Sequence, residues 1–337
     1  NVETRSSMGE LIKGVGVQFL DVFNQSLESY TLAMDDMIAD KGSKMTLAKQ
    51  LKTDKATEHF IQKTGVNYLD TTSEGSAFNS DSRLLGYKTS VSPQLFSQSV
   101  TVSYQNLMDR DYKSQLDEFA DLSRSSVETM DKTFFDMLNL AFTAQSSLPT
   151  HIVGYGDGKP LVSISHPRKD GGTAQLNTFS SANTQLPLTD TNLETARQQL
   201  ARQLDDRGKP TRVGGGKLML LVPTELEKQA VILTKGEKRS GTTNNDVNIY
   251  DGIMTVGASK WIGYTGNPGT LATTAWFLVD PRVAKLVHLL RQGASTHTFK
   301  DPNTLAQTFY IVARWANCWT DWRGLFGSKG DASAYAS

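Results

Sequence analysis

Apolar side chains recur three and four apart near the start of the chain, at Leu11, Val15, Phe19, Val22, Tyr30, Met34 and Met37, which predicts an amphipathic helix over 11–38. Gly14 and Gly16 weaken its first turns. Residues 40–63 are lysine-rich and loosely periodic, with short helical stretches expected at 48–51 and 57–61. Residues 1–65 hold too few large apolar groups to close a core, so they read as an extended arm that needs a partner surface. After the polar, turn-forming residues 71–83, residues 84–91 and 96–104 alternate with the period of two expected of strands, with Pro93 between them. This predicts a long hairpin whose apolar residues include Leu84, Tyr87, Phe96, Val100 and Val102. Two strands alone are marginal in water and leave open edges, so the hairpin is expected to contact another chain.

Residues 109–144 contain neither Gly nor Pro, and Tyr112, Leu116, Phe119, Val127, Met130, Phe134, Met137 and Ala141 follow a spacing of three to four interrupted at Ser123. A helix of this length would reach about 50 Å and act as a spine. Pro149 and the glycines at 154, 156, 158, 171 and 172 mark loops. Beyond residue 186 the texture is mixed. A helix capped by Asp or Thr starts near Asp190 and stops before Gly208 and Pro210. Strands are expected at 218–222, 253–256 and 276–279, a helix at 224–233, and a Gly/Thr/Asn-rich loop at 263–274. Strand-like segments return at 283–290, 308–316 and 318–322, followed by a Gly/Ser/Ala tail from Gly327.

Composition narrows the classes of function. In 337 residues, 35 Lys+Arg balance 35 Asp+Glu for a net charge of +0, so the basic excess that drives phosphate-backbone binding is missing and a dedicated DNA-binding protein is disfavoured. No apolar run approaches the ~18 residues of a membrane span, and mean hydropathy is −0.37. The N-terminus has no signal-peptide pattern. One cysteine, Cys318, allows no intrachain disulfide and points to a reducing compartment.

Candidate chemistry is sparse. Residues 154–159 superficially resemble a phosphate loop, but Pro160 stands where a Mg²⁺-binding hydroxyl belongs and the glycine spacing is one residue short. Gly214-Gly-Gly-Lys217 precedes a strand rather than a helix and reads as a connector. His59, His151, His166, His288 and His297 are dispersed, without HExxH or a Cys/His group, so neither metal nor cofactor is expected. Cys318, between Asn317 and Trp319, reads as core packing. Asp109 and Asp111 read as helix capping. No GxSxG elbow occurs, and no catalytic residues are assigned. Trp315, Trp319 and Trp322 read as core or interface packing rather than base stacking.

The order of parts carries more than any motif: arm, projecting hairpin, spine helix, α/β domain with a loop, return strands. This α+β order resembles the major capsid protein fold of tailed bacteriophages, the Hong Kong type. The hairpin running into the spine helix, the loop Asp157-Gly-Lys-Pro-Leu-Val-Ser-Ile-Ser-His-Pro167, and the ending with Asp321-Trp322-Arg323-Gly324 carry the likeness, the last two resembling Mu-like major head subunits. The resemblance implies an N-terminal arm at 1–65, an extended hairpin loop at 66–108, a peripheral domain with the spine helix at 109–185, and an axial domain at 186–282. Peripheral return strands and a tail fill 283–337.

The resemblance also implies a structural protein, not an enzyme. It would assemble with itself into pentamers and hexamers of an icosahedral shell, alongside a portal and decoration proteins, with double-stranded DNA enclosed rather than specifically bound and no membrane. The expected location is the virion, after assembly in the host cytoplasm. Leu84, Tyr87, Phe96, Val100 and Val102 are the expected assembly face. Some shells of this fold crosslink a loop lysine to a neighbour's asparagine; Lys88 is the lysine of the hairpin proper, and no partner or catalytic carboxylate can be matched to it. The lack of an initiator Met at Asn1 fits either protease maturation or a numbering that omits leading residues. The competing readings are an encapsulin-type compartment and, from another class, an α/β hydrolase or phosphotransferase.

Overall fold

The computed structural model describes residues 47–78, 80–105, 112–179, 184–235, 248–264 and 271–335. The helix expected over 11–38, most of the expected arm, Asp109, Asp111 and part of the 263–274 loop lie outside them. By internal contacts the chain divides into two compact units. Among the described residues one holds Leu95–Asp131 and Arg291–Trp315, and the other Lys132–Leu290 with the flanking segments before Leu95 and after Trp315.

In the first unit, strand β10 (Gln307–Trp319) lies between β9 (Leu286–Lys300) and β4 (Gln94–Val102). Phe96 of β4 stacks on Trp315 of β10 with ring centroids 3.9 Å apart and planes 5° from parallel. Val102 is buried as well. The long helix α1 (Tyr112–Asn139) begins here and places Leu122, Val127 and Met130 in the core. Its 28 residues span about 42 Å and lie within the 109–144 stretch expected to be helical.

The second unit takes over α1 where its pattern changes. From Thr133 to Leu140 every residue is buried, so the helix end is enclosed on all sides instead of along one stripe. Asn139 ends it by bridging two backbones: its amide donates to Trp261 O at 2.8 Å and its oxygen accepts from Gly263 N at 3.0 Å.

Here a four-stranded sheet runs in the order β11 (Leu325–Ser328), β8 (Trp276–Val279), β6 (Leu218–Pro223), β7 (Met254–Ser259). β6 is parallel to β7 and antiparallel to β8, and β11 is antiparallel to β8. Alternate residues serve opposite faces. Leu218, Leu220, Val222, Trp276, Leu278 and Phe326 join one core cluster with the apolar face of α2 (Asp190–Ala201). Met219, Leu221, Phe277, Val279 and Leu325 join the other cluster with the end of α1. A sheet covered on both faces needs continuous apolar strands, which is what Leu218–Pro223 and Trp276–Val279 supply. α2 is capped by Thr189, whose side chain accepts from Asn192 N. The expected 224–233 helix forms as a 3₁₀ turn followed by α3 (Glu227–Thr234).

Three expectations are corrected. The stretches expected to be helical at 48–51 and 57–61 are strands, β1 (Lys49–Lys52) and β2 (Glu58–Lys63). β1 pairs parallel with β9, Lys49 opposite Val287, and β2 pairs antiparallel with β3 (Leu85–Val91). Partners found far along the chain override weak local propensity. The hairpin is also paired differently: β3 and β4 are sequence neighbours but lie in different sheets, β3 with β2 and β4 with β10. The antiparallel ribbon is therefore β2–β3, joined through residues 64–84. Finally, the tail expected from Gly327 begins inside a strand, since Leu325–Ser328 form β11. Gly327 pairs with Phe277 there, and a methyl group on it would lie 2.7 Å from Val162.

Candidate assembly interface

The β2–β3 ribbon alternates along β2. Phe60 and Gln62 turn inward, and His59, Ile61 and Lys63 turn outward. Phe60 packs against the cluster of Val91, Val287, Leu289, Ala316 and Cys318. Burial pushes the Cys318 thiol up to about 12, which suits an inert packing group.

Gln62 is the polar exception on the inward face, and it moors the ribbon. Its amide donates to Asp321 Oδ2 at 2.8 Å, and its oxygen accepts from the Tyr155 hydroxyl in a short hydrogen bond. Burial, then the nearby Asp321 and Asp206 carboxylates, push the Tyr155 phenol far above its ordinary range. Asp321 Oδ1 accepts from Arg323 Nη1 at 3.1 Å, and Arg323 Nη2 reaches Asp206 Oδ1 at 3.0 Å. The guanidinium is buried. Burial works against its charge, but the Asp321 and Asp206 carboxylates outweigh it and leave its pKa raised. Lys285 Nζ lies 3.4 Å from Asp321 Oδ2 at the solvent side.

The Asp-Trp-Arg-Gly stretch thus provides three different services. Trp322 stacks on His166 with centroids 4.2 Å apart and planes 6° from parallel. His166 Nδ1 meets Asp157 Oδ2 at 2.8 Å, both side chains being fully buried. The two stretches that carry the Mu-like resemblance are therefore in direct contact. Gly324 adopts φ +84°, and a methyl group there would lie 2.7 Å from Ala284 N, so both the conformation and the close approach require glycine.

Above the mooring, β3 passes over Gly156, where a methyl group would lie 2.3 Å from the Lys88 carbonyl oxygen. Tyr87 meets Tyr155 edge-on at 5.4 Å, and Lys169 Nζ sits 4.2 Å from the Tyr87 ring centre. A second clamp holds the root of the 64–84 loop. Arg207 donates to both Asp81 oxygens, at 3.2 and 2.9 Å, and to Ser82 O, while Asn67 N donates to Asp81 Oδ2 at 2.6 Å. The Asn67 hydrogen bond, then the Arg207 contacts, hold the Asp81 carboxyl below its ordinary range. Lys209 donates to Val66 O and caps the Tyr68 ring at 4.2 Å. Between these clamps the loop exposes Tyr68 at 70%, Leu69 at 100% and Phe78 at 90%.

The five residues expected as the assembly face fall on two stretches of chain, residues 84–87 and strand β4. Leu84 and Tyr87 belong to the ribbon, where Leu84 O accepts from both Thr64 N and Thr64 Oγ1. Phe96, Val100 and Val102 lie on β4, and the stacking of Phe96 and the burial of Val102 serve their own unit. Sequence reasoning misses Gln62, Tyr155, Asp206 and Arg207. The run Asp205-Asp206-Arg207 between a helix end and Gly208 is the available signal.

A model of the phage capsid protein family matches residues 86–327, well over half the chain, and the chain belongs to that family. Among solved structures it is similar to the mature capsid of bacteriophage PhiM1, with 11% identity and TM-score 0.53 over 84% of this chain and 85% of that one. It is also similar to the capsid of an empty GTA particle, with 10% identity and TM-score 0.51 over 86% and 89%. The capsid of cyanophage P-SCSP1u gives 10% identity and TM-score 0.50 over 83% and 85%. At these identities the likeness establishes the fold, which is the Hong Kong type expected from the order of parts. No curated protein matches the sequence. Among the described residues no helix is long and apolar enough to cross a membrane.

Proposed function

We propose that this chain is the major head protein of a tailed bacteriophage, assembling through pentamers and hexamers into a closed icosahedral shell around double-stranded DNA. The observation that carries the reading beyond family membership is the β2–β3 ribbon. It is fixed at its base by a buried ionic network, yet its loop presents Leu69 and Phe78 to solvent. A monomer gains nothing from holding apolar side chains rigidly in water, whereas a ring of subunits covers each with its neighbour.

Within this reading, residues 58–91 are the extended loop, shifted from the 66–108 expected from sequence. The long helix and the β9–β10 strands build the peripheral domain, and the β11-β8-β6-β7 sheet builds the axial domain. The chain acts as a structural protein of the virion, and a portal, decoration proteins and enclosed DNA are its partners. The Asp157–Pro167 loop and the Asp321–Gly324 ending support a Mu-like lineage.

The test is sedimentation and electron microscopy of the purified chain at micromolar concentration under shell-forming conditions. Capsomers or closed particles are expected, and particles from infected cells should contain DNA. A strictly monomeric chain under all such conditions overturns the reading. Particles of uniform small size filled with cargo protein instead of DNA favour the encapsulin alternative.

A further inference from the structure

The neighbours of His166 dictate how many protons its ring carries. Nδ1 lies 2.8 Å from Asp157 Oδ2, and Nε2 lies 3.3 Å from Asn177 Oδ1. The Asn177 amide is fixed in this orientation, because its Oδ1 accepts from Ser163 N at 2.8 Å while its Nδ2 donates to Leu161 O at 2.8 Å. Turning it round would set N–H against N–H and oxygen against oxygen. Both ring nitrogens therefore face acceptors, and a neutral imidazole has only one N–H to give. A bare nitrogen against either oxygen would be a buried, uncompensated repulsion, since the His166 and Asp157 side chains are 0% exposed.

Charge balance leads to the same state by a separate route. Burial, then the Asp321, Asp206 and Asp157 carboxylates, raise the Tyr155 phenol, so all three acids lie close to it. Arg323 is shared by Asp206 and Asp321, and the half-exposed Lys285 adds a contact to Asp321. Asp157 Oδ1 accepts from the backbone Lys159 N, and among the described residues the basic side chain paired with this carboxylate is His166. The Trp322 ring, 4.2 Å from the His166 ring and 4.7 Å from the Arg323 guanidinium carbon, offers its π electrons to positive charge on both.

We infer that His166 is held as the doubly protonated imidazolium, a second buried cation beside Arg323, and that loss of this proton to solvent in alkali loosens the ribbon mooring. Without it, Asp157, Asp206 and Asp321 share one buried cation, and Nε2 becomes a lone pair against Asn177 Oδ1. Asn177 O accepts from Gly327 N of β11, and the Tyr155 hydroxyl holds Gln62 of β2, so the disturbance reaches both strands. Every contact lies within one subunit, so the inference is independent of the shell reading.

The sign of a pH profile tests it. A histidine that binds an extra proton in the folded state contributes stability that is whole below the ordinary value of about 6.5 and fades as pH rises. The stability lost in His166→Phe, which keeps a ring against Trp322, should therefore shrink from mildly acidic to mildly alkaline buffer in urea unfolding. A loss that stays flat or grows with pH marks a neutral imidazole and overturns the inference. Nitrogen-15 spectra of the wild-type subunit need no variant: at neutral pH both His166 ring nitrogens should carry protons, and a single protonated nitrogen overturns it equally. In the wild type, amide protection in residues 58–91 should fall severalfold over the alkaline range while that of β6 and β8 holds. Protection that falls everywhere alike, or nowhere, overturns the link to the mooring.

Discussion

Every residue of β6, β8 and β11 is buried, and their apolar side chains alternate between two core clusters. In the 64–84 loop, Leu69 and Phe78 are almost wholly solvent-exposed. Both regions belong to the same compact unit, and full burial of a Leu or Phe is worth about 1.5–3 kcal/mol. The sheet collects that free energy within the subunit. The loop leaves it uncollected, and under the proposed function the difference separates residues that make the fold from residues that make the particle.

The largest effect expected is on the sheet side. Trp276→Ala should destabilise the soluble subunit by about 3–5 kcal/mol in urea unfolding, because a fully buried ring at the centre of one cluster is removed. Particle yield should fall only because the fold is lost. Arg323→Met should cost a comparable amount, about 3–5 kcal/mol, since Asp206 would be left buried without its cation and Asp321 with only the half-exposed Lys285. This variant sharpens the comparison, because it attacks the join between a rigid core and an exposed ribbon.

A smaller effect is expected from Gln62→Ala. Orphaning the Tyr155 hydroxyl and an Asp321 oxygen should cost about 1–3 kcal/mol. Its distinguishing mark is local: amide exchange in residues 58–91 should quicken more than in β6 and β8. Smaller still in stability is Leu69→Ser with Phe78→Ser, which should stay within about 0.5 kcal/mol of the parent subunit while particle yield drops. A matching loss of subunit stability would show that these side chains serve the fold and would break the comparison.

The smallest effect concerns pH. The Arg197 hydrogen bond, with smaller help from Gln198 and Tyr250, holds the Glu194 carboxyl down to about 2. A depressed carboxyl contributes stability above its ordinary pKa near 4.5 and loses it as pH falls toward 2. Glu194→Gln should therefore flatten the melting-temperature profile in that acid window without changing loop exposure or particle morphology.

What the sequence discloses follows from how each element is held. The runs at 218–222 and 276–279 are legible because a doubly covered strand must be apolar throughout, and the long helix because no Gly or Pro breaks it. The ribbon is harder to see. Gln62 breaks the alternation of β2 with an inward polar group, and Lys49 to Lys52 carries one large aliphatic side chain. The mistaken hairpin has a related cause: strands separated only by Ser92 and Pro93 usually pair, but here β3 turns to β2 while Phe96 commits β4 to Trp315. The site is half visible. Asp321 and Arg323 stand out in a motif, whereas Tyr155, Asp206 and Gln62 acquire their meaning only once three distant segments converge.

The position of β11 has a consequence for synthesis. Its partner β8 ends at Val279, and the strands β9 and β10 are translated before Leu325 emerges. At roughly 5–20 residues per second, β8 waits on the ribosome for several seconds with an open hydrophobic edge. Asp321 and Arg323 emerge in the same interval, so the sheet closes and the ribbon is moored within moments of each other. A nascent chain therefore lacks the Asp321 and Arg323 anchors of the ribbon until those residues have been made.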